Sequence, residues 1–200
     1  MRIIAGTHRG RPLVTPKGNH TRPTRGLVRE SIFNIIRNEI IGAAVLDLFA
    51  GSGAMGLEAL SRGAASVVFV DNAKPAWDAM DQNVRALKMT DRCRLLYLDY
   101  ADALRRLQSE KLLFDIIFLD PPYEMTGMDT LLSQIQKSGV MKRGALVIFE
   151  HAKQARQADN FRAGNARAKW NASIPLGFLI VDERSYGETS ASFIQNTSEA

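Results

Sequence analysis

The sequence predicts an α/β fold, a mostly parallel sheet covered by helices on both faces and ending in an antiparallel hairpin. Three observations predict it. From residue 44 onward short apolar runs alternate with amphipathic stretches, the pattern of βαβ units joined by right-handed crossovers. A glycine-rich turn, Gly51-Ser52-Gly53-Ala54-Met55-Gly56, follows the first run, where sheets of this kind hold ligands. The last two runs, Phe178–Arg184 and Thr189–Gln195, are separated only by Ser185-Tyr186-Gly187-Glu188, a tight turn between antiparallel strands.

Length and composition set the frame. At 200 residues the chain suffices for one such domain with a short appendage and is too short for two. Its 46% hydrophobic and 24% charged residues are globular values and exclude a disordered or fibrous chain. No stretch approaches the apolar length that spans a bilayer, and Met1–Gly6 lacks the core of a signal peptide, so a cytoplasmic protein is expected. Cys93 is the only cysteine, which excludes an internal disulfide and cysteine-rich zinc sites, and its place at a strand start predicts a core position. His8, His20 and His151 lack metal-ligand spacing and are expected at the surface, so no metal is expected.

The first 40 residues read as a basic extension and residues 41–200 as the main domain. Seven basic residues, Arg2, Arg9, Arg11, Lys17, Arg22, Arg25 and Arg29, precede the first acid, Glu30. Such a block stays solvated unless an anion meets it, and nucleic acid is the expected partner. Arg9, Arg11, Arg22, Thr24, Arg25 and Arg29 are the candidate RNA contacts. Ile3-Ile4 and Leu13-Val14 suit a small hairpin, and Gly10, Pro12, Pro16, Gly18 and Pro23 exclude a long helix before residue 24. Leu27, Val28, Ser31, Ile32, Ile35 and Ile36 then recur at three- and four-residue steps, predicting a helix over 25–39 with Thr24 as its N-cap. A solvated helix face accounts for Arg25 and Arg29 as well as an RNA contact does.

Further strands are expected at 44–49, 66–71, 93–98, 115–120 and 145–150, with helices near 54–62, 74–88, 101–109 and 128–137. Residues 152–176 show no clear period. Gly51, Gly53 and Gly56 match the G-x-G-x-x-G spacing, which alone is a weak signal and also fits the pyrophosphate of a nicotinamide dehydrogenase. Asp71, at the next strand's end, could hold a ribose in either kind of enzyme. Asp47 separates the two. A carboxylate just before the loop repels pyrophosphate in a cleft of low dielectric, whereas S-adenosylmethionine offers an ammonium and a sulfonium. The expected cofactor set is Asp47, Phe49, Ala50, Gly51, Ser52 and Gly53 around the loop, Asp71 and Asn72 at the ribose, and Asp99, Tyr100 and Ala101 where adenine would lie. Asp120 completes the set from the fourth strand.

Phe118-Leu119-Asp120-Pro121-Pro122-Tyr123 ends that strand at a double proline, which has no N–H for the ladder. As a turn signal the tetrapeptide says only that the strand stops. Beside the glycine loop it says more: a planar base stacks on Tyr123 while Asp120 and a rigid Pro121 carbonyl accept the hydrogens of its exocyclic amine. Asp120, Pro121, Pro122 and Tyr123 are the candidate catalytic group.

With these motifs in place, the chain resembles, almost end to end, the RsmD-type family of bacterial methyltransferases of a guanine N2 in 16S ribosomal RNA. The resemblance rests on Arg2-Ile3-Ile4-Ala5-Gly6 with Arg9-Gly10-Arg11, on Arg22-Pro23-Thr24 and on Val28-Arg29-Glu30-Ser31-Ile32-Phe33-Asn34. It continues through Asp47–Gly53, Gly56-Leu57-Glu58-Ala59-Leu60-Ser61-Arg62-Gly63 and Tyr186-Gly187-Glu188-Thr189. It implies a Rossmann-like class I S-adenosylmethionine-dependent methyltransferase with seven strands, the last antiparallel. It further implies action on 16S rRNA in a partly assembled small subunit, and a monomer is expected. Tyr100 departs from the pattern, since the family often has an acid there, and leaves the adenine contact open between Asp99, Tyr100 and a backbone amide. Asp-Pro-Pro-Tyr alone is shared with DNA adenine-N6 or cytosine-N4 amino-methyltransferases, which are the alternative enzyme reading. A non-catalytic RNA-binding assembly factor is the alternative outside enzymes.

Overall fold

The structure is a computed structural model that describes residues 1–16, 23–122, 127–152 and 174–198; the side chains of 23–25 and of 152 lie outside that description. The predicted strands are present: β1 (Ala44–Asp47), β2 (Ser66–Asp71), β3 (Cys93–Tyr97), β4 (Phe114–Leu119), β5 (Met141–Ala152), β6 (Phe178–Tyr186) and β7 (Thr189–Asn196). They form one seven-stranded sheet in the order β3-β2-β1-β4-β5-β7-β6. Neighbours from β3 to β5 are parallel, and β7 runs antiparallel to both β5 and β6. β1 lies between β2 and β4, so the chain crosses from one half of the sheet to the other beside it. In open α/β sheets a ligand crevice forms at that switch point, beyond the carboxyl ends of the strands.

Helices α1 (Pro23–Ile35), α2 (Ala54–Ser61), α3 (Lys74–Ala86), α4 (Tyr100–Ser109) and α5 (Met128–Ser138) cover the sheet. Two apolar clusters, one on each face, explain why β1 and β4 read as continuous apolar runs. β1 is shorter than predicted, because the chain turns off after Asp47, and β5 is longer at both ends. Cys93 packs against the core, and burial pushes its thiol up to about 12, leaving it inert as a nucleophile. No described helix is long and apolar enough to cross a membrane.

α1 departs from the prediction at both ends. It begins at Pro23, whose ring presets φ and needs no hydrogen bond at a helix start, so Thr24 falls inside the first turn and is not the cap. It ends at Ile35, with turns continuing to Ile40. Its buried face is Val28, Ile32 and Phe33, continued by Ile36 in the turn that follows, whereas Leu27 is 67% exposed. Arg29 belongs to the buried face. It is 5% exposed, and its guanidinium donates to the Arg2 carbonyl at 2.7 Å, so its role is to anchor the first residues and it is not a surface contact for RNA.

The N-terminal segment is folded onto the sheet's helices. The expected small hairpin is present: an antiparallel bridge joins Arg2 and Pro12, and the Ile3 N–H donates to the Arg11 carbonyl and the Leu13 N–H to the Met1 carbonyl, each at 2.9 Å. Ile3 and Leu13 join the core shared by β1, β2, β4 and β5. Glu58 of α2 holds this segment. Fully buried, it accepts from the Ile4 N–H at 2.7 Å, the Ala5 N–H at 2.9 Å and the Arg62 Nε at 2.7 Å, with Arg29 Nε at 3.8 Å. Gly6, at φ +82°, passes so close to α2 that a Cβ would stand 1.8 Å from the Ser61 carbonyl oxygen. Removing one partner from a buried charge cluster costs about 3–5 kcal/mol. Glu58→Ala is therefore expected to lower unfolding free energy by that amount in chemical denaturation; a loss under about 1 kcal/mol would mean that apolar contacts alone dock the segment.

Candidate active site

Beyond β1 the chain folds back over its own sheet edge. Leu48 N–H still bonds the Phe118 carbonyl at 3.1 Å, Ala50 N–H reaches the Val70 carbonyl at 2.9 Å, and Gly53 N–H closes a turn onto Ala50 at 2.7 Å. Gly51 and Gly53 have φ of +54° and +77°, which residues with a Cβ rarely adopt. A Cβ at Gly51 would meet nothing within 4 Å, so open space lies against that glycine. Gly56 has a different task. A Cβ there would lie 2.2 Å from the Phe69 ring, so its glycine lets α2 press onto β2.

Three side chains fix the loop from outside. The Gly51 N–H donates to Asp71 Oδ2 at 2.8 Å, and Asp71 Oδ1 accepts from the Ala73 N–H at 2.8 Å. Asp47 Oδ2 accepts from the Gly56 N–H at 3.0 Å. Asn83 Nδ2 donates to the Ser52 carbonyl at 2.9 Å and to the Val14 carbonyl at 2.9 Å, while its Oδ1 accepts from the Val14 N–H at 2.7 Å. One buried amide, 2% exposed, thus ties the glycine loop to the N-terminal segment. Sequence reasoning passed over Asn83, although a signal existed: an amide on the apolar face of α3, between Met80 and Val84.

Asp47 sits beneath the loop more deeply than expected, 4% exposed, and acts on the crevice through its charge. Burial pushes its carboxyl up to about 7; the Gly56 hydrogen bond opposes that, and the charges of Asp120 and Asp71 add to it. The carboxylates at the ends of β1, β2 and β4 therefore share one field. Like charges in a crevice repel each other, and a cationic guest relieves them. Asp71 already binds two amides, but each carboxylate oxygen has a second lone pair, which leaves capacity for ribose hydroxyls.

At the end of β3, Asp99 caps α4, its Oδ1 accepting from the Ala101 N–H at 2.9 Å. Tyr100 lies against Phe49, ring centres 5.5 Å apart, giving the mouth an aromatic wall. Asn72 is exposed just past Asp71. Asp120 is exposed as the first residue after β4, followed by Pro121 and Pro122. Tyr123 and Arg22 lie outside the described residues, as do the side chains of Thr24 and Arg25. Arg9 and Arg11 are exposed, but they sit at the far ends of α2 and α3 from the glycine loop, Arg11 donating to the Ala86 carbonyl at 3.4 Å. His151, expected at the surface, is half-buried beyond β5's pairing with β4; it stacks on Phe149 and bonds Ser192 Oγ at 3.0 Å.

Several solved structures with this fold are named as methyltransferases. SMU.776, solved with SAH, matches 82% of this chain and 49% of its own with a TM-score of 0.62; at 18% identity the likeness speaks for the fold alone. YhhF of Escherichia coli matches 100% of this chain and 99% of its own with a TM-score of 0.80 at 28% identity. The class defined by sheet order and loop is thus the Rossmann-like methyltransferases. Within it, the chain belongs to the family described as Conserved hypothetical protein 95, whose profile matches residues 1–195, and this is the RsmD-type family its motifs resemble. Relatives include YlbH of Bacillus subtilis, 38% identical over 77% of this chain and 84% of its own. Ribosomal RNA small subunit methyltransferase D of Haemophilus influenzae is 34% identical over 76% and 79%.

Proposed function

We propose that this protein is an S-adenosylmethionine-dependent ribosomal RNA methyltransferase that modifies the exocyclic N2 of a guanine in 16S rRNA, within an assembling small subunit. The observation that carries this reading is the convergence of three carboxylates, Asp47, Asp71 and the exposed Asp120, around a glycine loop with open space over Gly51. Such a site fits a cation with a ribose attached. Asp47 would face the methionine end, Asp71 the ribose and the Phe49–Tyr100 wall the adenine.

S-Adenosylmethionine supplies a methyl group already activated by its sulfonium. The protein's task is then to orient an amine whose lone pair is conjugated into the base. Asp120 and the Pro121 carbonyl accept its two hydrogens, draw the nitrogen toward a pyramidal shape and tilt the lone pair toward the methyl group. The prolines hold these acceptors rigid, so orientation costs little at the moment of reaction. Asp120 orients more than it deprotonates, because after transfer the nitrogen is acidic enough to release its proton to water. Methylation assays on small-subunit particles, protein-free 16S RNA and duplex DNA test the reading. Label on a guanine of the particle is expected, and label on duplex DNA alone would replace it with the DNA amino-methyltransferase reading.

A further inference from the structure

Arg9 and Arg11 stand on a turn seated against the ends of two helices. The Thr7 N–H donates to the Ser61 carbonyl at 2.8 Å and the His8 N–H to Ser61 Oγ at 3.0 Å, at the last residue of α2. Arg11 reaches the Ala86 carbonyl, the last residue of α3. Lys88 follows two residues later, and Arg92 donates to the Ala64 carbonyl at 3.4 Å just past α2. All four cations are exposed and lie along the edge where β1, β2 and β3 begin. The glycine loop and Asp120 are at the opposite edge, with the whole of α2, roughly 12 Å, in between.

We infer that this edge is a second RNA-binding surface, which grips phosphates of a folded RNA away from the nucleotide being methylated. The inference deepens the ribosomal RNA reading above and rests on it. Elsewhere on the described surface Arg85 pairs with Asp81, Arg94 and Arg106 with Glu110, Arg105 with Asp102 and Arg184 with Asp182, while Arg37, Lys111, Lys137 and Arg143 are exposed without a salt bridge among the described residues. Arg9, Arg11, Lys88 and Arg92 have no acidic partner among the described residues, and the nearby acid Asp91 takes the Thr90 hydroxyl. A helix C-terminus attracts cations in its own right, but two helix ends do not require four. Unneutralised charges in a row bind phosphate without reading sequence. An RNA that touches this edge and also places a base at Asp120 must bridge the length of α2. A folded RNA does so with several phosphates at once, whereas a fragment trimmed to the target nucleotide and its immediate neighbours reaches only the Asp120 edge.

The test is Arg9→Glu/Lys88→Glu in the full chain, with Arg9→Gln/Lys88→Gln as the milder pair. Affinity for protein-free 16S RNA is read by filter binding across a salt series, and thermal midpoint and S-adenosylmethionine affinity report on the fold. The charge reversal is expected to weaken binding roughly tenfold or more, and either pair to flatten the slope of log affinity against log salt by about 1.5 to 2. On the shortest fragment of 16S RNA that accepts a methyl group, the loss should shrink below about threefold. Unchanged affinity for the long RNA would overturn the inference, as would an equal loss on the short fragment. A loss seen only on assembled particles would assign the surface to a protein partner and overturn it too. If the wild-type protein methylates no RNA, the proposed function fails, while the binding series still decides for or against this surface.

Discussion

Asp120→Ala abolishes methyl transfer, lowering kcat by roughly a thousandfold or more, while S-adenosylmethionine affinity stays within about tenfold. The two halves of this expectation have different origins. Asp120 is exposed and follows the last residue of β4, where in the proposed reading it meets the incoming base. The loop is held by Asp71, Asp47 and Asn83, all untouched by the substitution. Without the carboxylate, the amine keeps its lone pair delocalised into the ring, and the Pro121 carbonyl alone cannot free it for the methyl group. Asp120→Asn retains one acceptor and should fall between wild type and alanine. Turnover within about tenfold of wild type in Asp120→Ala would remove Asp120 from its orienting role.

The second large effect concerns Asp47 and runs opposite ways for folding and for binding. Its folded carboxyl is held at about 7 by burial first and by Asp120 and Asp71 after that, against an ordinary value of 3.8. As pH rises from about 4, the unfolded chain gives up this proton first, so the folded state loses stability until the folded group also ionises near 7. The full loss is about 4 kcal/mol, spread over that window and constant above it. A cation over the loop favours the ionised form, so binding expels the proton below pH 7. Affinity for S-adenosylmethionine is then expected to rise by up to about tenfold per pH unit toward 7 and to level off above. Calorimetry in buffers of different ionisation enthalpy reads the released proton. Asp47→Asn should bind more weakly at pH 8 and keep only the pH dependence that belongs to the ligand itself. Identical pH profiles for wild type and Asp47→Asn would contradict the electrostatic selection of the donor.

The sheet was legible because its signals are local. The apolar runs of β1, β2 and β4 are buried on both faces, the double proline has to end β4, and Gly187 allows the tight turn before β7. What escaped was set by contacts distant in sequence. Arg29 reads as a solvated cation until Arg2 and Glu58 close around it, and only tertiary packing decides that. Leu27 belongs to the helical pattern read from the sequence and Phe33 does not, yet Leu27 is exposed and Phe33 is the residue that meets Phe118. Asp47 was correctly singled out as an acid under the loop, but its depth follows from Gly56 letting α2 approach the sheet. Asn83 was invisible for the same reason, since its partners Ser52 and Val14 lie 31 and 69 residues away. Arg9 and Arg11 read as part of one basic arm, and only the seating of that arm on Ser61 and Ala86 puts them at the edge opposite Asp120.

The chemistry proposed at Asp120 is tested most directly by mass-spectrometric mapping of modified guanines in 16S RNA from cells lacking this protein. One N2-methylguanine should be absent from the deletion strain, return with the wild-type protein and stay absent with Asp120→Ala. An unchanged set of N2-methylguanines in the deletion strain, or recovery with Asp120→Ala, would contradict it.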